Sequence, residues 1–118
     1  MDAETTERLH KVLVEERELL RERLRDLGLN PDDPTSVELR FDPGFADTAQ
    51  TTAERNRVLS IAQGLRTNLE DVEHALRRMD DGTYGTCERC GQEIDLERLE
   101  AVPFARLCIE CKREVGSR

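Results

Sequence analysis

The chain is short of aromatic rings and of positive charge. It has no Trp, one Tyr (Tyr84) and three Phe (Phe41, Phe45, Phe104), so rings make up 3% of 118 residues while charged residues make up 37%. Such a composition does not build a thick globular core; long charged helices with narrow apolar stripes suit it better. Lys and Arg number 18 against 26 Asp and Glu, a net charge of −8. That argues against non-specific DNA binding, because counterion release from phosphates needs clustered cations. No run of 18 apolar residues occurs, so no membrane span is expected. The opening Met1-Asp2-Ala3-Glu4-Thr5-Thr6-Glu7 lacks an apolar h-region, so no signal peptide is expected either, and a cytoplasmic, reducing setting follows as an expectation. In such a setting four Cys read as metal ligands before they read as disulfides. Catalytic signatures are missing as well: there is no P-loop, no G-x-G-x-x-G and no nucleophile with a companion base. The chain is not expected to be an enzyme. His10 and His74 lie off the apolar seams of their segments and read as solvated surface residues.

What the chain does have is helical periodicity. Val58, Ala62, Leu65, Leu69, Val72, Leu76 and Met79 alternate spacings of four and three, the a/d seam of three heptads. Leu9, Leu13, Leu20, Leu24 and Leu27 keep a looser version, with Glu16 interrupting the seam and Val12 and Leu19 widening it. Gly64 is a blemish in the second helix, unfavourable by about 1 kcal/mol relative to Ala. Between the two segments lie Gly28, Pro31, Pro34, Pro43 and Gly44, breakers that suit a reversal. Residues 29–51 hold five acids (Asp32, Asp33, Glu38, Asp42, Asp47) against Arg40 alone, so half of the net charge sits in the connector. The second helix has two candidate starts, Asp47-Thr48-Ala49-Gln50 and Thr51-Thr52-Ala53-Glu54, each a cap followed three residues later by Gln or Glu. If Leu27 pairs near Val58, the second helix overshoots the first. Two unpartnered stripes joined by a connector predict an antiparallel coiled-coil hairpin in a monomer, since each finds its partner at high effective concentration. A parallel coiled-coil dimer on the same seams is the alternative.

The strongest local signal is Cys87-Glu88-Arg89-Cys90, then 17 residues, then Cys108-Ile109-Glu110-Cys111. A two-residue gap lets two sulfurs converge on one ion, and four thiolates close a tetrahedron around Zn2+. Gly91 fits a knuckle that needs a left-handed residue, and Gly85 fits a similar role ahead of the first pair. A redox dithiol needs one C-x-x-C rather than two matched pairs, and a catalytic zinc keeps an open position that four thiolates do not leave. One structural Zn2+ is therefore expected. Its binding is worth on the order of 10 kcal/mol in small fingers, more than so few apolar residues supply by burial. Acids outnumber bases in residues 83–118 and a zinc tetrathiolate adds further negative charge, so the finger shows no basic face for DNA.

Tyr84-Gly85-Thr86-Cys87-Glu88-Arg89-Cys90-Gly91, Ile94, Arg98-Leu99-Glu100-Ala101-Val102-Pro103 and Leu107-Cys108-Ile109-Glu110-Cys111-Lys112 together resemble the zinc finger of the DksA/TraR family of bacterial transcription factors. The match covers residues 80–114, and the helical hairpin upstream agrees in architecture. The resemblance implies a mainly α fold: a hairpin over residues 1–81 (helix about 4–27, connector and tip 28–47, helix about 48–80), then a four-cysteine finger over 82–118 with a short terminal helix. It implies a regulator that inserts the hairpin into the secondary channel of RNA polymerase, where acidic tip residues alter initiation without contacting DNA. Asp42-Pro43 and Asp47-Thr48-Ala49 stand at the family's tip pattern, separated by a two-residue excess within Gly44-Phe45-Ala46. Asp47 also reads as a plain helix cap. Where family members that cooperate with guanosine tetraphosphate carry basic groups, this chain has Asp71, Val102 and Lys112, which implies weak or absent synergy. The alternative function is a zinc-stabilised coiled-coil adaptor that docks another protein outside the polymerase channel.

Overall fold

The computed structural model describes residues 1–33 and 49–116, and the side chains of all of these except 49–51. The chain is mainly helical: α1 (Ala3–Asp26), α2 (Ala49–Asp81), α3 (Leu96–Ala101) and α4 (Ile109–Gly116). Among the described residues there is no strand, only an isolated antiparallel bridge between Thr86 and Glu93. Two compact units divide the chain, one of Met1–Arg17 with Glu70–Arg118, the other Glu18–Leu69. In both, the α1 segment runs antiparallel to α2.

Local chemistry sets the helix ends. The Thr5 amide donates to Asp2 Oδ1 at 2.7 Å, satisfying an amide that the first turn leaves without a partner. The Thr5 side chain first, and then this amide, hold the Asp2 carboxyl below its usual pKa. At the other end of α1, Gly28 takes φ 83°. Its amide donates to Arg25 O at 2.8 Å and the Leu29 amide to Leu24 O at 2.9 Å, the two bonds of a Schellman cap. The apolar contact that accompanies such a cap is supplied by Leu24 and Leu29, both buried. Of the two candidate starts for α2, Asp47 and Thr48 of the earlier lie outside the described residues, and the described helix already runs from Ala49, ahead of Thr51.

In the Glu18–Leu69 unit, Leu20, Leu24, Leu29, Ala62 and Leu69 are buried. Arg21 pairs with Asp32 at 2.7 Å, and Arg66 donates to the Asn30 carbonyl at 3.4 Å. Arg66 lies well beyond Val58, so the reversal engages α2 further from its N-terminus than a Leu27–Val58 alignment supposes. In the other unit, Leu9, Leu13, Val72, Ala75 and Leu76 are buried, and Leu9 joins a cluster with Cys87, Ile94, Leu99 and Cys111. Val12 and Leu19 do not widen the seam. They remain 41% and 40% exposed, because a single partner helix covers only a narrow stripe.

Candidate metal centre

The sulfurs of Cys87, Cys90, Cys108 and Cys111 all lie within 4.8 Å of one another, and the Cys90–Cys108 pair is 3.8 Å apart. No two are joined in a disulfide. The first pair sits in a tight knuckle. The Gly91 amide donates to the Cys87 carbonyl at 3.0 Å, and Gly91 takes φ 75°, a conformation a side chain strains against. The second pair opens α4, where the Lys112 amide donates to the Cys108 carbonyl at 2.9 Å. Two backbone bonds hold the module together behind the sulfurs: Cys87 N–H to Gln92 O at 2.8 Å and Glu88 N–H to Arg106 O at 2.9 Å.

The four thiols are not equivalent. Burial opposes a thiolate at Cys87, but the backbone N–H groups of Cys90, Cys108 and Arg89 directed at its sulfur outweigh that and bring it down to about 6. Cys111 moves the other way: burial and then the sulfurs of Cys108, Cys87 and Cys90 push it up to about 12. Such a crowded set tolerates four thiolates only around a cation. Four sulfurs brought this close fit one structural Zn2+, which when bound supplies tetrahedral closure and no reactive position.

The module is fastened to the helices around it. Tyr84 donates to the Pro103 carbonyl at 2.8 Å, and burial pushes its hydroxyl up to about 12. Arg98 Nε donates to Leu107 O at 2.9 Å, and Arg8 pairs with Glu100 at 2.9 Å. His74 is not the solvated residue that its helical position suggests: its Nε2 lies 2.8 Å from Glu88 Oε1, with Arg78 at 3.8 Å from the other carboxylate oxygen. Arg89 pairs with Glu114 on α4. Sequence periodicity missed these partners because each contact joins residues far apart in the chain. The only local trace was the acid and base side by side between the first two cysteines.

Asp71, Val102 and Lys112 line one cavity of about 410 Å3, together with Arg98, Phe104 and Arg106. Arg106 pairs with Asp71 at 2.8 Å, while its Nε is buried with no hydrogen-bond partner among the described residues. Asp42 and Asp47 lie outside the described residues. Ala49 is the first residue of α2.

With this geometry in view, the comparisons agree. Residues 82–115 match the model of the prokaryotic dksA/traR C4-type zinc finger. The structure of transcription factor DksA2 from Pseudomonas aeruginosa superposes with a TM-score of 0.73 at 30% identity, over 100% of this chain and 88% of that one. General stress protein 16O of Bacillus subtilis is 37% identical over 90% of this chain and 64% of its own length. The RNA polymerase-binding transcription factor DksA of Haemophilus influenzae is 33% identical over 87% of this chain and 63% of its own length. The chain therefore belongs to the DksA/TraR family, while spanning less than two thirds of the length of either of those two curated relatives. The relatives named for a molecular role are transcription factors, not enzymes. Among the described residues no helix is long and apolar enough to cross a membrane.

Proposed function

We propose that this chain is a transcription regulator that binds RNA polymerase and acts through its secondary channel, without contacting DNA. The observation that carries the reading is the four-sulfur cluster packed, through Leu9, Leu99 and Ile94, onto the paired ends of two long helices, in a chain whose relatives include proteins named for polymerase binding. Cys87, Cys90, Cys108 and Cys111 hold one structural Zn2+. Residues 82–118 act as the finger, and residues 1–81 as the hairpin that presents the acidic connector. Asp42, Asp47 and Ala49 are the tip residues that meet the enzyme. A monomer suits a narrow pore, whereas a two-chain rod does not. The acidic connector is complementary to a cation-lined channel, which favours encounter and fixes orientation.

Synergy with guanosine tetraphosphate is weak or absent in this reading. The Asp71 carboxylate occupies one side of the 410 Å3 cavity and engages Arg106, and Val102 contributes no charge. Asp71→Lys combined with Val102→Arg is expected to create a nucleotide response in transcription assays; no response would count against that cavity as the determinant.

The test of the main reading is a polymerase pull-down with and without a Gre-type secondary-channel factor. Retention that the competitor abolishes is the expected result. Retention that it leaves intact favours the adaptor alternative, and no retention removes the proposal. Asp47→Ser, which keeps a cap and deletes the charge, is expected to weaken the transcriptional effect while leaving helix content unchanged.

A further inference from the structure

A cavity of about 360 Å3, which neither the metal centre nor the reading above uses, is lined by the start of α1 and by the finger. All of its residues belong to the unit of Met1–Arg17 with Glu70–Arg118. Part of the lining is apolar. Ile94 and Leu99 are buried there, whereas Met1 and Leu96 stay 53% and 43% exposed. Met1 packs against bare backbone: its Cε lies 2.9 Å from where a Gly85 Cβ would stand. Single exposed apolar side chains are ordinary on a protein surface. Two of them lining one cavity, beside buried apolar side chains, offer a contact surface.

The charged side chains of the lining are all acidic. Asp2, Glu93 and Asp95 supply three carboxylates, and no Lys, Arg or His is among the lining residues. With the α-ammonium of Met1 counted against them, the surplus is two negative charges. Asp2 is committed to the first turn of α1, where the Thr5 amide donates to it at 2.7 Å. Glu93 and Asp95 are not committed: among the described residues neither side chain has a hydrogen bond or an ion pair, although Asp95 stands at the start of α3. The bases nearby are engaged elsewhere, Arg98 with the Leu107 carbonyl and Arg8 with Glu100, each at 2.9 Å. The backbone that carries the two carboxylates is held in place. Glu93 bridges Thr86, the Ile94 amide donates to the Gly85 carbonyl at 2.8 Å, and the Asp95 carbonyl accepts from the Arg98 and Leu99 amides at 3.0 and 3.1 Å. A surface ordered in advance loses less entropy on docking.

A Lys or Arg side chain matches this lining in both halves, because its stem lies along apolar surface while its head reaches a polar rim. An anion or a nucleic acid is repelled by the carboxylates, and a purely apolar anchor would desolvate them without giving a partner. Glu93, Asp95 and Leu96 are exposed, so a free small cation would keep most of its water; the fitting cation is one carried on a protein surface. We propose that the cavity is a docking site for a basic segment of RNA polymerase, which lays the stem of a Lys or Arg along Met1 and Leu96 and brings its charge to Glu93 and Asp95. The inference rests on the polymerase reading above and goes beyond it by assigning a contact to the finger. The cavity is built at the start of α1 and beyond the end of α2, whereas the connector joins the end of α1 to the start of α2. The contact is thus separate in the chain from the acidic connector, and suits the part of the factor that stays outside the channel.

The experiment titrates the full chain against purified core RNA polymerase at low and at high salt, with melting temperature and helix content measured on the same samples. Asp95→Lys reverses the charge without removing a cap bond, and is expected to weaken binding about tenfold at low salt and less at high salt. Asp80→Lys makes the same change of net charge at an exposed residue outside the lining, and is expected to stay within about twofold of the parent. Leu96→Ser is expected to weaken binding about fivefold at both salt concentrations, since it removes apolar contact and no charge. A photo-reactive group placed at Glu97, beside the lining, is expected to attach to a polymerase peptide that contains Lys or Arg. Equal losses in Asp95→Lys and Asp80→Lys overturn the inference, because only net charge then matters. Binding of Asp95→Lys within about twofold of the parent, or attachment to a peptide without a basic residue, overturns it as well. Should Asp95→Lys fail to fold, Asp95→Asn, expected to bind about threefold more weakly, carries the comparison. A parent chain that does not bind polymerase removes the polymerase reading and this inference together, whereas a parent that binds and variants that bind equally well remove the inference alone.

Discussion

The two compact units order their backbone by different means. In Glu18–Leu69 the chain turns at Gly28 and is held by apolar burial: Leu20, Leu24, Leu29, Ala62 and Leu69 close over one another, and the cap that ends α1 brings its own buried leucine. In Met1–Arg17 with Glu70–Arg118, the finger's buried aliphatic side chains among the described residues are Ile94 and Leu99, and two of the cysteines complete the cluster. One unit converts apolar area directly into stability. The other has too little area and depends on convergent sulfurs. Packing tolerates graded loss, whereas a metal centre fails as a whole.

Removing the metal is the severest test of that contrast. Chelation, or Cys111→Ala, is expected to abolish amide-exchange protection across residues 84–113 and to raise exchange at Leu9 and Leu76, whose ends of α1 and α2 pack with the finger. Protection around Leu20, Leu24 and Leu69 should fall much less. Binding worth on the order of 10 kcal/mol in small fingers sets the scale. Uniform loss of protection in both units would erase the distinction between them.

The next test acts on the packed unit. Leu24 is fully buried and also supplies the apolar contact of the Schellman cap. Leu24→Ala is expected to lower stability by about 2–5 kcal/mol, the range for Leu-to-Ala changes in cores, while zinc content stays at one ion per chain. Loss of zinc in this variant would show that the finger depends on packing that the comparison assigns elsewhere.

The contrast also explains what could be read in advance. The seam over Val58–Met79 was legible because each apolar residue declares its face through a period set by the helix itself, and the four cysteines were legible because their spacing is fixed by a tetrahedron. Leu29 was not, since its burial follows from a cap geometry and not from periodicity. Neither was α3, a six-residue helix whose Asp95 makes no side-chain cap bond. The fastening of Glu88 by His74, and of Arg89 by Glu114, depended on which surfaces the fold brings together. His74 in particular was read from its own helix, and what determines its environment is a knuckle elsewhere in the chain.

Tyr84 sharpens the comparison inside the finger, as a contact that is neither apolar nor metallic. Its hydroxyl donates to the Pro103 carbonyl at 2.8 Å. Tyr84→Phe is expected to destabilise the unit by about 1 kcal/mol, read from the melting temperature at neutral pH. Burial raises the hydroxyl's pKa from 10.0 to about 12 in the folded chain. The protonated form is the one the fold prefers, so this contribution is complete below pH 10 and is lost as pH rises through 12. The parent's stability should therefore fall across that window, and the Phe variant should lack that part of the fall.

The smallest expected effect lies in the packed unit and has the opposite sign. Gly64 sits inside α2 where, apart from its chain neighbours and the adjoining helix backbone, no heavy atom lies within 4 Å of where a Cβ would stand, and its backbone does not take a positive φ. Gly64→Ala removes unfolded-state freedom at a site with room for the methyl group, and is expected to raise stability by up to about 1 kcal/mol, seen as a higher melting temperature. Because that gain arises from backbone entropy and not from buried area, it should add to the loss in Leu24→Ala without coupling. A double variant that departs from additivity would mean that α2 around Gly64 and the Leu24 cap respond as one element. A higher melting temperature accompanied by weaker polymerase retention would mean instead that the open space at Gly64 is used by the partner.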